Sequence, residues 1–190
     1  MIVGLVGKAG SGKSTAAERL AKSKIKLISL DKLGHDALRE ERESLVDSFG
    51  RGILTCGNVD RKKLSRIVFE NSDLLTKLNK IVHPVIKQKA LQIVGRDFSD
   101  HYIFDGALIH EIGLAEYCDK IIWFECPNEI AIERLMKRGM SKSRAESILA
   151  SQQYLDSIKE SVDAVVTTLG SIEETFEKLR SILFEWGIVV

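Results

Sequence analysis

The eight residues Gly7-Lys8-Ala9-Gly10-Ser11-Gly12-Lys13-Ser14 constrain the fold of this chain more than any other segment. They follow a short apolar run, Ile2 to Val6, and precede a segment with helical character from Lys13 to Lys22. Strand, glycine-rich loop and helix in that order open a parallel α/β unit. Glycines let the backbone turn so that successive N–H groups point into a phosphate-sized concavity. The helix that follows adds the positive end of its dipole at the same place. The spacing, two glycines at a fixed interval and then Lys-Ser, is the Walker A pattern. It assigns Lys13 to the β- and γ-phosphates and the Ser14 hydroxyl to Mg²⁺. A glycine turn with no ligand is the structural alternative, and the strand before and helix after speak against it. Residues Gly7, Lys8, Ala9, Gly10, Ser11, Gly12, Lys13, Ser14 and Thr15 are therefore candidate ATP contacts.

Beyond the loop, Lys26 to Leu30 forms the next expected strand, with Asp31 at its end. From residue 32 to about 96 the periodicity is helical with little strand signal, which is too long for an ordinary connection and predicts an inserted helical subdomain. Tyr102 to Phe104 is a third strand, closed by Asp105, and Lys120 to Glu125 a fourth whose nearly continuous apolar run suits a strand covered on both faces. Cys126-Pro127-Asn128 ends it and a basic helix begins. Gly139 interrupts that helix, and a second runs from about Ser143 to Lys159. Ala164 to Thr167 and Ile172 to Trp186 supply a fifth strand and a closing helix. The expected fold is one α/β domain over residues 1–190, a five-stranded parallel sheet flanked by helices, with the helical insert at 32–96 and a lid at 134–150. Sheets of this kind bind ligands at the carboxyl ends of their strands, where Gly7, Asp31 and Asp105 fall.

Composition narrows the partners. Charged residues make up 29% of the 190-residue chain and leave a formal charge of +1, so neither nucleic acid nor an anionic membrane is expected as a partner. Three scattered cysteines, Cys56, Cys118 and Cys126, lack metal-knuckle spacing and fit reduced, mostly structural thiols. No apolar run approaches the ~20 residues needed to span a bilayer, and the N-terminus carries no basic leader. A cytoplasmic location with no obligate protein partner is the expectation.

Two carboxylates sit at strand ends. Asp31 suits a base that takes the proton of an attacking hydroxyl and fixes its orientation, or a helix N-cap. Asp105 suits a metal-holding carboxylate, or a turn residue. Arg134, Lys137, Arg138, Lys142 and Arg144 cluster around Gly139, and Arg134 and Arg138 share a helix face. Lys137 and Lys142 read as a solvated face. Arg134 and Arg138 read as lid arginines over ATP, with Arg138 a catalytic candidate beside Lys13 and Asp31.

With these residues in place, the chain resembles the dephospho-coenzyme A kinase family. Gly4 to Thr15 resembles the family's opening. Phe49-Gly50, Ile53-Leu54, Val59-Asp60-Arg61, Leu64 and Ile67-Val68-Phe69 resemble its helical insert. Leu78-Asn79-Lys80-Ile81-Val82-His83-Pro84-Val85-Ile86 is the most specific match. Asp105 to Glu111, Cys118-Asp119, Cys126-Pro127, Arg134 to Arg138 and Ala150-Ser151-Gln152 continue in register.

The resemblance implies a nucleoside-monophosphate-kinase-like core, ATP and dephospho-coenzyme A as substrates, Mg²⁺, an acceptor-binding insert, and Asp31 as the base. Candidate acceptor contacts are Asp31, Arg61, His83 and Asp105, and candidate metal ligands are Ser14 and Asp105. His83 either contacts the acceptor or packs at a bend, because a residue before proline tends to leave helical space. Arg61 either meets an acceptor phosphate or forms a surface pair with Asp60 or Glu70.

The chain departs from the family in several places. Ser29 stands where an Asp is common, and Lys8 replaces a usual glycine and adds a positive charge near the phosphates. Ala107 and His110 replace a usual Pro and Phe, and Thr168-Leu169 occupies the place of an Asn pair before Gly170. Two rival functions share the loop: a kinase for another small-molecule or nucleotide acceptor, and a nucleotide-binding switch without transfer activity.

Overall fold

The computed structural model describes residues 1–20, 25–69, 71–95 and 101–190. In chain order its elements begin with β1 (Ile2–Val6), α1 (Lys13–Leu20), β2 (Lys26–Ser29), α2 (Leu30–Glu40) and α3 (Arg42–Phe49). A small hairpin, β3 (Leu54–Thr55) and β4 (Asn58–Val59), leads to α4 (Arg61–Phe69) and α5 (Ser72–Val94). The chain continues through β5 (Tyr102–Asp105), β6 (Lys120–Glu125), α6 (Asn128–Lys137), α7 (Lys142–Ser151), β7 (Ala164–Thr167) and α8 (Ile172–Glu185). It divides into two compact units, Met1–Ser29 with Asp97–His110 and Leu114–Val190, and Leu30–Arg96 with Glu111–Gly113.

The first unit is built on a five-stranded sheet of order β2-β5-β1-β6-β7. Every pairing is parallel, with Leu5 opposite Asp105 and Val6 opposite Trp123. The apolar runs make these strands because their central residues are buried. Val3, Leu5, Ile103, Ile122 and Val166 are fully buried and share a core with Ala16, Ala17 and Leu20 of α1 and Leu179 and Leu183 of α8. Burial of each such aliphatic side chain is worth about 1.5–3 kcal/mol, and the sheet is held mainly by this term. α8 starts on a capping box in which the Ser171 hydroxyl accepts from the Glu174 amide and the Glu174 carboxylate accepts from the Ser171 amide.

The second unit is helical. α2, α3 and α4 pack on α5, with Leu45, Ile53, Leu64 and Val68 as its buried centre. Asn71 caps α5 by accepting from the Asp73 and Leu74 amides. α5 runs through Pro84 without ending, so His83 stays helical although it stands before proline. Proline inside a helix costs about 3 kcal/mol. Buried Val82, Ile86 and Ala90 on the face of the same helix offset that loss.

Two boundaries and one hairpin differ from the sequence expectation. Leu30 opens α2 rather than closing β2, so Asp31 lies in the first turn of a helix. The helix expected from Ser143 to Lys159 divides into α7 and a 3₁₀ segment, Gln153–Ser161. The hairpin β3–β4 was not anticipated. The expected helix end at Lys22 and the insert's boundary near Arg96 lie outside the described residues. Among the described residues no helix is long and apolar enough to cross a membrane.

Candidate active site

The loop between β1 and α1 takes the shape its glycines require. Gly10 and Gly12 have φ of +78° and +85°, in the left-handed region where a side chain is strained. A Cβ on Gly10 would stand 2.6 Å from the Ala131 carbonyl oxygen of α6. The loop is thus pressed against the start of α6, and only a residue without a side chain fits between them.

Lys13, the first residue of α1, reaches across to the end of β5. Its Nζ donates to Asp105 Oδ1 at 2.9 Å, with 11% of the Lys13 side chain and 8% of the Asp105 side chain exposed. The parallel register that sets Leu5 beside Asp105 brings the two strand ends together. Ser14 is half-buried on the same turn of α1. Two charges at this burial attract strongly, and each depends on the other to offset its desolvation.

Arg134, in the last turn of α6, is anchored rather than solvated. One terminal nitrogen donates to Thr168 Oγ1 at 3.0 Å and to the Gly10 carbonyl at 3.3 Å, and approaches Cys126 Sγ at 3.4 Å. The other donates to the Thr168 carbonyl at 2.7 Å. The Thr168 hydroxyl, almost fully buried, donates to the Ser11 carbonyl at 2.8 Å. A cavity of about 220 Å³ opens beside this cluster, lined by Gly12, Thr15 and Ala16, by Arg134, Lys137 and Arg138, and by Thr168, Gly170, Ser171, Ile172 and Thr175. Pockets that enclose a whole drug-sized ligand hold roughly 300–1,000 Å³. This one suits a single heterocycle rather than an entire nucleotide. Arg138 is exposed, just past the end of α6.

Lys8 behaves differently from the sequence expectation. Its ammonium is paired with Asp156 at 2.7 Å, so the extra charge beside the loop is locally balanced. The Ala9 amide donates to Gln152 Oε1 at 2.8 Å, which ties the loop to the end of α7. Glu125 accepts from Trp123 Nε1 and pairs with Lys159, both at 2.7 Å. Lys8, Ala9, Trp123, Glu125, Asp156 and Lys159 line a second cavity of about 410 Å³ together with Ser11 and Leu149. Ser11 Oγ is buried and has no hydrogen-bond partner among the described residues. Cys118 is inert at neutral pH, because burial first and then the charge of Asp119 push its thiol up to about 12. Cys56, in contrast, is exposed at the hairpin turn.

The remaining predicted residues belong to the second unit. Asp31 is exposed in the first turn of α2, where a carboxylate favours the helix dipole. Arg61 is exposed at the start of α4. Asp60 accepts from the Thr55 hydroxyl at 2.7 Å and from the Lys62 and Lys63 amides, so its carboxylate serves the helix start. Glu70, the other partner considered for Arg61, lies outside the described residues. His83 is half-buried. Burial lowers its pKa, against the main-chain hydrogen bond and carboxylate charge of Glu111, which both favour the protonated ring.

The sequence reading brought together Lys13, Ser14, Asp105 and the loop, and these are neighbours in the first unit. It missed Thr168 as the partner of Arg134, and it missed Gln152 and Asp156 as partners of the loop. A polar residue directly after an apolar strand is the one local signal that could have marked Thr168.

Comparison with known proteins agrees with this arrangement. The family profile described as dephospho-CoA kinase (CoaE) matches residues 1–174. A dephospho-CoA kinase of Bacillus licheniformis is 35% identical, with 98% of this chain and 97% of that protein aligned. One from Fusobacterium nucleatum is 34% identical over 95% of each chain. Among solved structures, TT1252 from Thermus thermophilus superposes with a TM-score of 0.84 at 26% identity, covering 97% of both chains. A deoxyadenosine kinase from M. mycoides shares the fold, with a TM-score of 0.61 at 14% identity over 97% of this chain and 100% of that one. The phosphate-loop lysine and the strand-end carboxylate thus sit in a sequence that matches one family along most of its length, and the chain belongs to the dephospho-CoA kinase family.

Proposed function

We propose that this chain transfers the γ-phosphoryl group of ATP to the ribose 3′-hydroxyl of dephospho-coenzyme A, the last step of coenzyme A biosynthesis. The observation that carries the reading is the buried Lys13–Asp105 pair in a phosphate loop, in a chain whose family match runs through both residues. The amides from Gly10 to Ser14 and the N-terminus of α1 offer the β- and γ-phosphates a positive, preorganised cradle. Lys13 adds a point charge to the transferring group. The cavity beside Gly12 and Thr15 takes the base, with Arg134 and Ile172 among its walls.

The donors fit Mg²⁺. The lysine uses only Oδ1 of Asp105, and the Ser14 hydroxyl stands on the next residue of the helix. Magnesium is commonly held by one or two such side chains and the phosphates themselves. When bound, Mg²⁺ neutralises phosphate charge as it builds on the leaving group.

Asp31 orients the acceptor hydroxyl and takes its proton. The helical segment 32–96 holds the acceptor, with Arg61 against a phosphate and His83 as a polar contact. Residues 134–150 act as the lid, and Arg138, exposed at the cavity, moves onto the phosphates when it closes, excluding water that would otherwise hydrolyse ATP. The protein works in the cytoplasm without an obligate protein partner. ADP release measured with ATP, Mg²⁺ and a panel of acceptors tests the reading. Turnover is expected with dephospho-coenzyme A and not with nucleosides or nucleoside monophosphates. Faster turnover with one of those would assign the chain another acceptor, and ATP binding without acceptor-dependent turnover would make it a switch.

A further inference from the structure

Thr168 is almost fully buried beside the loop, and its hydroxyl meets Ser11, Glu125 and Arg134. A hydroxyl has one hydrogen to donate and two lone pairs to accept with. Thr168 Oγ1 lies 2.8 Å from the Ser11 carbonyl and 3.2 Å from the Glu125 carbonyl. The shorter contact takes the hydrogen. The lone pairs are then left for the Arg134 nitrogen at 3.0 Å. Only 1% of the residue is exposed, so no water competes for these contacts. The Thr168 amide donates to the Glu125 carbonyl at 2.9 Å, which fixes the residue to the end of β6. The Arg134 guanidinium is therefore held on both sides, by the Thr168 carbonyl through one nitrogen and by its hydroxyl and Gly10 through the other.

A guanidinium recognises a flat heterocycle by its plane as well as its charge, because it stacks on aromatic faces. Of the two oxygens that meet Arg134 Nη1 the Thr168 hydroxyl, at 3.0 Å, is the closer, and the Gly10 carbonyl at 3.3 Å would hold that end of the plane less firmly alone. We infer that Thr168 is a positioning residue for nucleotide binding: its hydroxyl sets the plane of Arg134 against the base cavity and ties that plane to the phosphate loop through Ser11. The inference rests on the nucleotide reading above.

The test compares ATP with inorganic tripolyphosphate, which probes the loop without a base, by equilibrium titration in the absence of acceptor. Thr168→Val keeps the shape and removes the hydroxyl. It should weaken ATP about tenfold, the size of one lost charge-assisted hydrogen bond. It should leave tripolyphosphate within about twofold of the parent. Thr168→Ser should restore ATP affinity, which a purely volumetric role for the residue would not predict. Equal weakening of both ligands would mean that the hydroxyl serves the loop alone and would overturn the inference, as would unchanged ATP affinity. If the valine variant melts below the assay temperature, Thr168→Ala takes its place with the same expectations. Failure of the parent protein to bind ATP would remove the nucleotide reading itself, and this inference with it.

Discussion

Asp105→Asn keeps the size of the side chain and one carbonyl acceptor but removes the charge opposite Lys13. At 2.9 Å and an effective dielectric of about 20, the lost attraction is about 6 kcal/mol. Part of it is returned because the variant no longer desolvates a carboxylate, and breaking a buried pair costs about 3–5 kcal/mol net. The retained carbonyl still accepts from Lys13 and places the expected loss near the lower end, about 3 kcal/mol. For a chain of this size each kcal/mol shifts the melting temperature by about 2–4 °C, so thermal unfolding without nucleotide should fall by about 6–12 °C. Saturating ATP without metal should then raise the variant more than the parent, since its phosphates supply the anion that Lys13 lacks and have no pair to break. A fall below about 2 °C would refute the pair as a buried, mutually dependent interaction. Equal ATP-induced shifts in the two proteins would refute competition between Asp105 and the phosphates for Lys13.

Asp31→Asn should leave ATP affinity within about twofold of the parent while acceptor-dependent turnover falls about 10²–10⁴-fold, read by titration and by ADP release; undiminished turnover would remove Asp31 from the role of base. Gly10→Ala should cost at least about 1–2 kcal/mol from the left-handed backbone alone, with more from the 2.6 Å approach to the Ala131 carbonyl, and should weaken ATP; a parent-like melting temperature would show that the loop does not press on α6. His83 has a folded pKa below its ordinary 6.5, so the unfolded chain takes up the proton first as pH falls. Its contribution to stability is complete above 6.5 and is lost as pH falls through the folded value. The melting temperature of His83→Gln should therefore decline less than that of the parent between about pH 7 and about pH 5.

The five-stranded sheet was legible because its strands are short runs with buried apolar centres, and Asp105 was placed correctly at the end of one. Ser29 and Leu30 mark where that signal fails. Leu30 is as apolar as the strand before it, yet it buries itself as the first residue of α2. Apolarity alone cannot separate a strand end from a helix start. At Pro84 the local preference is to break a helix, and the buried face of α5 overrides it. The hairpin β3–β4 turns through Cys56 at φ 47° and Gly57 at φ 79°, and a Cys in that position lacks the Asn or Asp that usually announces such a turn.

In the site, Lys13 and Ser14 could be read because they belong to one contiguous motif. The partners of Arg134 and Lys8 could not, because Thr168 and Asp156 reach the loop only through the parallel crossovers of the sheet and the path of the chain after α7. The sequence reading gave Lys8 as an added positive charge near the phosphates. Tertiary structure supplied its counter-ion from a distant part of the sequence.

Mass spectrometry of the product formed from ATP, Mg²⁺ and dephospho-coenzyme A, with the phosphorylated position determined, tests the central claim most directly. The account predicts coenzyme A, carrying one new phosphoryl group on the ribose 3′-oxygen, formed in step with ADP and lost in the Lys13→Ala variant. ADP and free phosphate with no phosphorylated acceptor, or a phosphoryl group at another position, would contradict it.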